Sequence, residues 1–216
     1  MKDIKFWNNH YLNFTDYNAS AFCDYCIKNV IQPDDSIVEL GCGNGRDGLK
    51  LINSVSKYIG LDSSKSALSN FQSSIDQTLP QKKDIRLTCA DFTSFNFSQE
   101  TSKSRLSIYS RFSLHSINHE AQNRLFNNIK QIKSSNWICM IEARSIYDEL
   151  YGIGKNVGEH EFVTDHYRRF IDPEKLLKDL LNDFKIKYYE ISNGFSPYKG
   201  SDPIIIRIII EKNLYR

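Results

Sequence analysis

Val38-Glu39-Leu40-Gly41-Cys42-Gly43-Asn44-Gly45-Arg46-Asp47-Gly48 decides how this chain is read. The apolar run Ile37-Val38 with Leu40 has the pattern of a buried strand. Three glycines at alternate positions, Gly41, Gly43 and Gly45, then permit a sharp turn and a close approach of backbone to a ligand. From Asp47 onward Leu49, Leu51 and Ile52 supply the apolar positions of a helix with a carboxylate in its first turn. Strand, glycine turn and helix start together form a cradle for a nucleotide-like cofactor.

Two motifs overlap here. Gly43 to Gly48 satisfies G-x-G-x-x-G, the dinucleotide fingerprint. Read from Glu39, the stretch is E-x-G-x-G-x-G, which resembles motif I of class I S-adenosylmethionine-dependent methyltransferases. The strand-end acid separates the two, because a pyrophosphate is repelled by a neighbouring carboxylate whereas a cofactor with a sulfonium and an amino group is not. A glycine turn without a ligand is the third possibility.

The 216 residues suffice for one domain with a large core. Hydrophobic content of 40% and aromatic content of 12% predict a folded chain. Lys+Arg 28 against Asp+Glu 26 is too balanced to announce a nucleic-acid partner. No apolar run has membrane-spanning length, and Met1-Lys2-Asp3-Ile4-Lys5 lacks the apolar core of a signal peptide. A cytoplasmic location is therefore expected, with no membrane and no nucleic acid among the partners. Five cysteines suit a reducing compartment. Cys23-Asp24-Tyr25-Cys26 is a C-x-x-C without a second copy on an amphipathic helical stretch, so two buried thiols are expected rather than half a zinc site or a redox pair. Cys89 and Cys139 are expected in buried strands.

Taken in order, Ala19 to Val30 reads as a helix with Phe22, Cys26 and Val30 on one stripe. Strands are expected at Tyr58 to Asp62, Ile85 to Ala90, Leu106 to Tyr109 and Trp137 to Ala143. Helices follow Ser63-Ser64 (Ala67, Leu68, Phe71) and carry Leu125, Ile129 and Ile132. Arg144 to Ile171 reads as one long irregular stretch, and a loop of that length in a compact domain is usually functional. Pro173 to Phe184 is an amphipathic helix with Asp172 as N-cap and Pro at its first position. Lys185 to Ile191 and Ile204 to Glu211 are final strands around a loop, Ser192 to Pro203, broken by Gly and Pro. This order predicts an α/β, Rossmann-like doubly wound, mostly parallel seven-stranded sheet with helices on both faces and a C-terminal antiparallel hairpin. Residues 1–216 are expected to form a single domain, with 1–32 as an N-terminal helical cover and 144–171 as a lid-like insertion.

The resemblance to class I methyltransferases spans about Pro33 to Glu211 and implies S-adenosyl-L-methionine as cofactor. It places Glu39, Gly41, Gly43, Asn44, Gly45 and Arg46 around the cofactor, with the glycines facing its amino-acid tail. Asp62 and Ser63 fall at the ribose. An acid at the end of a second strand is wanted by the dinucleotide reading as well. Asp91 and Phe92 fall at the adenine, although Asp91 also has the position of a turn cap. Ser110, at the end of the fourth strand, faces the methyl group. Trp7 and Tyr11, one helical turn apart, are candidates to cover the cofactor, whereas Phe22 and Tyr25 suit core packing. Ser110-Arg111-Phe112 and His115 replace the acidic or Asn-Pro-Pro motif of other branches, which argues against amine-directed methylation of DNA or protein.

Methyl transfer from sulfur requires positioning, plus a base where the acceptor is a neutral alcohol. His115 is the base candidate; a hydrogen-bonded loop histidine is the competing expectation. Arg111, Arg144, Lys155, Arg168 and Arg169 gather at the active edge of the sheet or in the lid. Arginine forks suit phosphate or carboxylate oxygens. Arg144, Arg168 and Arg169, with Tyr151 and His166, are therefore candidate acceptor residues for O-methylation of a small anionic molecule. The favoured case is a phosphorylated sugar or cell-surface glycan precursor. Surface pairing of Arg168 and Arg169 with Glu159, Glu161, Asp165 or Asp172 is the competing expectation. No spacing matches a metal-ligand motif, so no metal is expected. A neutral sugar or metabolite hydroxyl with His115 as base, a nicotinamide-dependent oxidoreductase and a non-catalytic methyltransferase-like subunit complete the alternatives.

Overall fold

Ser36–Leu40 (β1) is buried at every position, as a strand covered on both faces must be. Its neighbours are Lys57–Asp62 (β2) and Leu106–Arg111 (β4), both parallel to it. Asp84–Cys89 (β3) pairs parallel with β2 at one edge. Trp137–Arg144 (β5) lies parallel beyond β4. Phe184–Ser192 (β9) and Ile205–Lys212 (β10) close the sheet as an antiparallel hairpin, β10 pairing with β5. The order is β3-β2-β1-β4-β5-β10-β9. The computed structural model describes residues 3–13, 17–78, 83–100, 104–197 and 200–214.

Alternation along the strands builds two cores. Val38, Ile59, Ile108 and Ile141 face Leu125 and Ile129 of His119–Lys130 (α5) and Leu176 and Leu180 of Pro173–Leu181 (α6). Ile37, Tyr58, Tyr109 and Met140 face the other side. There they meet Phe22 of Ala21–Asn29 (α2), Leu51 and Ile52 of Gly48–Ser54 (α3) and Phe71 of Lys65–Thr78 (α4). Helices thus cover both faces, as expected. Cys23, Cys26 and Cys139 are buried, and all five cysteines are free. Cys89 is exposed, against expectation, because β3 is an edge strand whose side chains are only partly covered.

Local signals set the helix boundaries. Asp172 caps α6 by accepting from Glu174 N and Lys175 N at 2.9 and 3.2 Å. The helix stops at Leu181, short of the expected Phe184, because Phe184 opens β9. Asp47 precedes α3 without capping it. Its carboxylate is already engaged by Ser20 N, Ser20 Oγ and Tyr109 Oη at 2.7, 2.8 and 2.7 Å.

The stretch expected to be irregular is partly ordered. Lys155–Gly158 (β6), Glu161–Val163 (β7) and Tyr167–Arg169 (β8) form a separate antiparallel sheet. Short strands of two or three polar-apolar alternations fall below what periodicity detects. The N-terminal helix Ile4–Asn13 (α1) bridges this small sheet and α4. Asp3 Oδ2 accepts from Tyr167 N at 2.7 Å on one side, and Asn70 Nδ2 donates to Tyr11 O at 2.6 Å on the other.

Candidate active site

The strand order reverses between β1 and β4, and a cavity of about 280 Å³ opens at the carboxyl ends of the strands there. Such a switch point is where open α/β sheets bind ligands. Trp7, His10 and Tyr11 of α1 roof it, with the Trp7 and Tyr11 rings stacked 6.0 Å apart.

Its first wall is the glycine turn. Gly41 N and Cys42 N both donate to Leu61 O, at 2.8 and 3.0 Å, which ties the turn to the end of β2. Gly41, Cys42, Asn44 and Arg46 line the cavity, whereas Gly43 and Gly45 do not. Gly43 has φ +55°, and the side without a Cβ is turned to Tyr11 rather than to open space. A Cβ on Gly45 would overlap the Phe71 ring. The glycines thus serve close protein packing as much as ligand approach. Asn44 is 1% exposed, and its Nδ2 has no hydrogen-bond partner.

Three carboxylates gather on this side: Glu39, Asp47 and Asp62. Asp62 accepts from Gly43 N at 2.9 Å and Ser64 N at 2.7 Å, so it braces the glycine turn directly. Burial lifts its carboxyl above the ordinary aspartate range, while these backbone bonds pull it back. Glu39 accepts from the Tyr58 hydroxyl. Burial, reinforced by the neighbouring Asp47, pushes Glu39 well above the usual carboxylate range. A cationic ligand group beside these acids would favour their charged forms.

The opposite wall is basic. Arg111, Arg144 and Arg168 line it with His115 and His166. Each guanidinium is held by an acid. Arg111 Nε donates to Glu142 Oε1 at 3.0 Å, Arg144 Nη1 to Asp148 Oδ2 at 2.6 Å and Arg168 Nη1 to Asp165 Oδ1 at 3.0 Å. The competing surface-pair expectation therefore holds for Arg168 and Asp165, yet Arg168 still faces the cavity. Phe112, left-handed at φ +54°, lies beneath the Arg111 and Arg144 guanidiniums, 4.4 and 5.5 Å from its ring centre. His115 is buried, with Nδ1 unpartnered. Burial first, then the fields of Arg144 and Arg168, hold its imidazole well below the usual range, so it is neutral. His166 stacks on Phe6 at 4.3 Å, and its pKa is likewise lowered by burial and by Arg168.

Other candidates lie elsewhere. Arg169 is buried against α5, where Nε donates to Ile117 O at 2.9 Å and Nη2 to Gln122 Oε1 at 2.6 Å. Its neighbour Arg168 points to the cavity because side chains alternate along a strand. Tyr151 does not line the cavity; its hydroxyl bonds His160 Nδ1 at 2.8 Å and its ring packs against Phe162 and Phe170. Asp91 is exposed and accepts from Thr93 N at 2.9 Å, the capping geometry. Phe92 is packed in the core. Ser110 Oγ meets Ser113 Oγ at 2.7 Å, and Ser63 does not line the cavity. Conversely, His10, Asp47, Phe112, Ser113 and Ser116 line it without having been singled out as site residues. Asp47 alone had a usable signal, a first-turn acid directly after the glycines. Among the described residues no group of three or more His, Cys, Asp or Glu could hold a metal ion.

Residues 37–135 match the model of a family described as "Methyltransferase domain". A methyltransferase structure from Methanosarcina mazei, 19% identical, superposes with a TM-score of 0.71, covering 87% of this chain and 97% of that one. One from Anabaena variabilis, 18% identical, gives 0.69 over 97% and 93%. Magnesium protoporphyrin IX methyltransferase from Synechocystis, solved with bound S-adenosylmethionine, is 11% identical and gives 0.61 over 88% and 76%. The search of curated proteins gave no match to this chain. The fold is the class I methyltransferase fold. The methyltransferase-domain match thus covers the segment that carries the glycine turn, and the fold around it is shared with S-adenosylmethionine-dependent methyltransferases. Among the described residues no helix is long and apolar enough to cross a membrane.

Proposed function

We propose that the protein is a cytoplasmic enzyme that O-methylates a small anionic acceptor. The carrying observation is the polarity of the cavity: Glu39, Asp47 and Asp62 on one wall, Arg111, Arg144 and Arg168 on the other. S-adenosylmethionine supplies an electrophilic methyl on a cationic sulfur. The acidic wall suits that cation and its ammonium group, and the orphaned Asn44 Nδ2 offers a donor for its carboxylate. Trp7 and Tyr11 would exclude water from above, and Asp62, which holds the glycine turn, would also accept from the ribose hydroxyls.

On the basic wall, Arg144 commits Nη1 to Asp148, and a guanidinium has further donors for a carboxylate or phosphate. An oxygen already anionic attacks without a base, so the work left to these residues is orientation. A phosphorylated sugar or glycan-precursor group is one member of this class. The second reading is a neutral hydroxyl, favoured by the buried neutral imidazole of His115 with its unpartnered Nδ1.

Steady-state assays of Arg144→Lys, Arg168→Lys and His115→Ala on phosphorylated, carboxylated and neutral acceptors separate the two. Loss with the arginine variants and residual activity with His115→Ala is the expected result. Full activity of both arginine variants with a dead His115→Ala gives the neutral-hydroxyl reading instead.

A further inference from the structure

Next to the cavity lies a hollow of about 130 Å³ walled by Leu150, Ile153, Phe162 and Phe170, with Thr164 and Arg168 at its polar edge. Arg168 lines the main cavity too, so a single guanidinium stands in the walls of both. The register explains this. Phe162 of β7 is the cross-strand partner of Arg168 of β8, which places an apolar ring beside the cation. Arg168 is pinned there, Nη1 donating to Thr164 Oγ1 at 2.7 Å as well as to Asp165. Phe162 and Phe170 are themselves fixed by the edge of Tyr151, at 5.3 and 5.7 Å between ring centres.

The rim is apolar and exposed: Ile153 in its wall is 51% exposed, and Tyr151, packed on Phe162 and Phe170, is 39% exposed. An exposed apolar side chain at the mouth of an apolar hollow suits a binding surface.

We propose that this hollow is an acceptor subsite that takes a hydrocarbon arm, so that the acceptor is an amphipathic anion: a carboxylate or phosphate head at Arg144 and Arg168 with an apolar arm beyond Arg168. The proposal rests on the anionic-acceptor reading and narrows it. An unsubstituted sugar ring would press hydroxyls onto Leu150, Phe162 and Phe170 without partners, at a desolvation cost no contact there repays. A hydrocarbon arm loses only unfavourable contact with water.

The test uses the full chain saturated with S-adenosylhomocysteine and titrated calorimetrically with acetate, butyrate, hexanoate and octanoate. Affinity is expected to rise by up to about fourfold per methylene, the factor for a fully buried CH₂ at 25 °C, until the hollow is filled. In Ile153→Asn, at the exposed rim, the rise should flatten while acetate binding persists. In Leu150→Trp, which fills the hollow, the rise should stop at a shorter chain. A wild-type series with no dependence on chain length overturns the subsite, as does a rise unchanged in both variants. Acetate and inorganic phosphate binding that is lost in Arg144→Ala, with no chain-length dependence, leaves the anionic reading standing and the subsite refuted. A chain-length dependence equally strong for neutral 1-alkanols refutes the anionic reading and leaves the subsite.

Discussion

The phenolic oxygen of Tyr11 stands where a side chain on Gly43 would begin: a Cβ built there would lie 2.5 Å from it. The residue that approaches the glycine turn is thus a tyrosine of the N-terminal helix. Gly43→Ala should cost about 1–2 kcal/mol for the left-handed backbone alone and should also dislodge Tyr11. Thermal unfolding and titration with S-adenosylhomocysteine check this. In a Tyr11→Ala background the same substitution should cost less, because only the backbone part remains. A Gly43→Ala protein as stable and as tight-binding as wild type would refute the packing account.

Asp62→Ala removes a charged acceptor from Gly43 N and Ser64 N as well as from the proposed ribose contact. The loss of cofactor affinity should be about 1.5–3 kcal/mol, or roughly 10- to 150-fold in Kd. Asp62→Asn keeps one acceptor oxygen and should fall between. Equal affinity of all three proteins would remove Asp62 from the site.

Stability should depend on His115 in mild acid. Its folded-state pKa lies well below the ordinary 6.5, so below that value the unfolded chain binds more protons. The contribution is full above the unfolded value and is lost as pH falls through it toward the folded one. Melting temperature should therefore decline from about pH 6.5 downward, and less steeply in His115→Gln. His10, His119 and His166 are also lowered by burial, so some slope should persist. Parallel curves for the variant and wild type would show that His115 titrates normally.

Arg168 and Arg169 should separate by what their loss damages. Arg169→Met leaves Ile117 O and Gln122 Oε1 buried without their donor, about 1–3 kcal/mol of stability for each group. Arg168→Met should cost little stability and, under the proposed function, most of the acceptor binding. Urea denaturation alongside acceptor titration reads both. An unstable Arg168 variant with a stable Arg169 variant would reverse the assignment.

The sequence by itself determined the class of sheet and the place of its glycine turn. Buried parallel strands are continuous apolar runs, and Ser36–Leu40, Lys57–Asp62 and Trp137–Arg144 announce themselves. Glu39, the glycines and Asp62 were legible because they sit at fixed short distances along the chain from those strands. Tertiary structure alone decided which of two adjacent arginines faces the cavity, since a one-residue shift in a three-residue strand exchanges them. It alone turned Tyr11 onto Gly43, engaged Asp47 with Ser20 and Tyr109 instead of the helix end, and set Tyr151 against Phe162 and Phe170 rather than in the cavity. These are contacts between segments far apart in the chain. Local propensity carries no record of them, because each is settled by how whole elements pack.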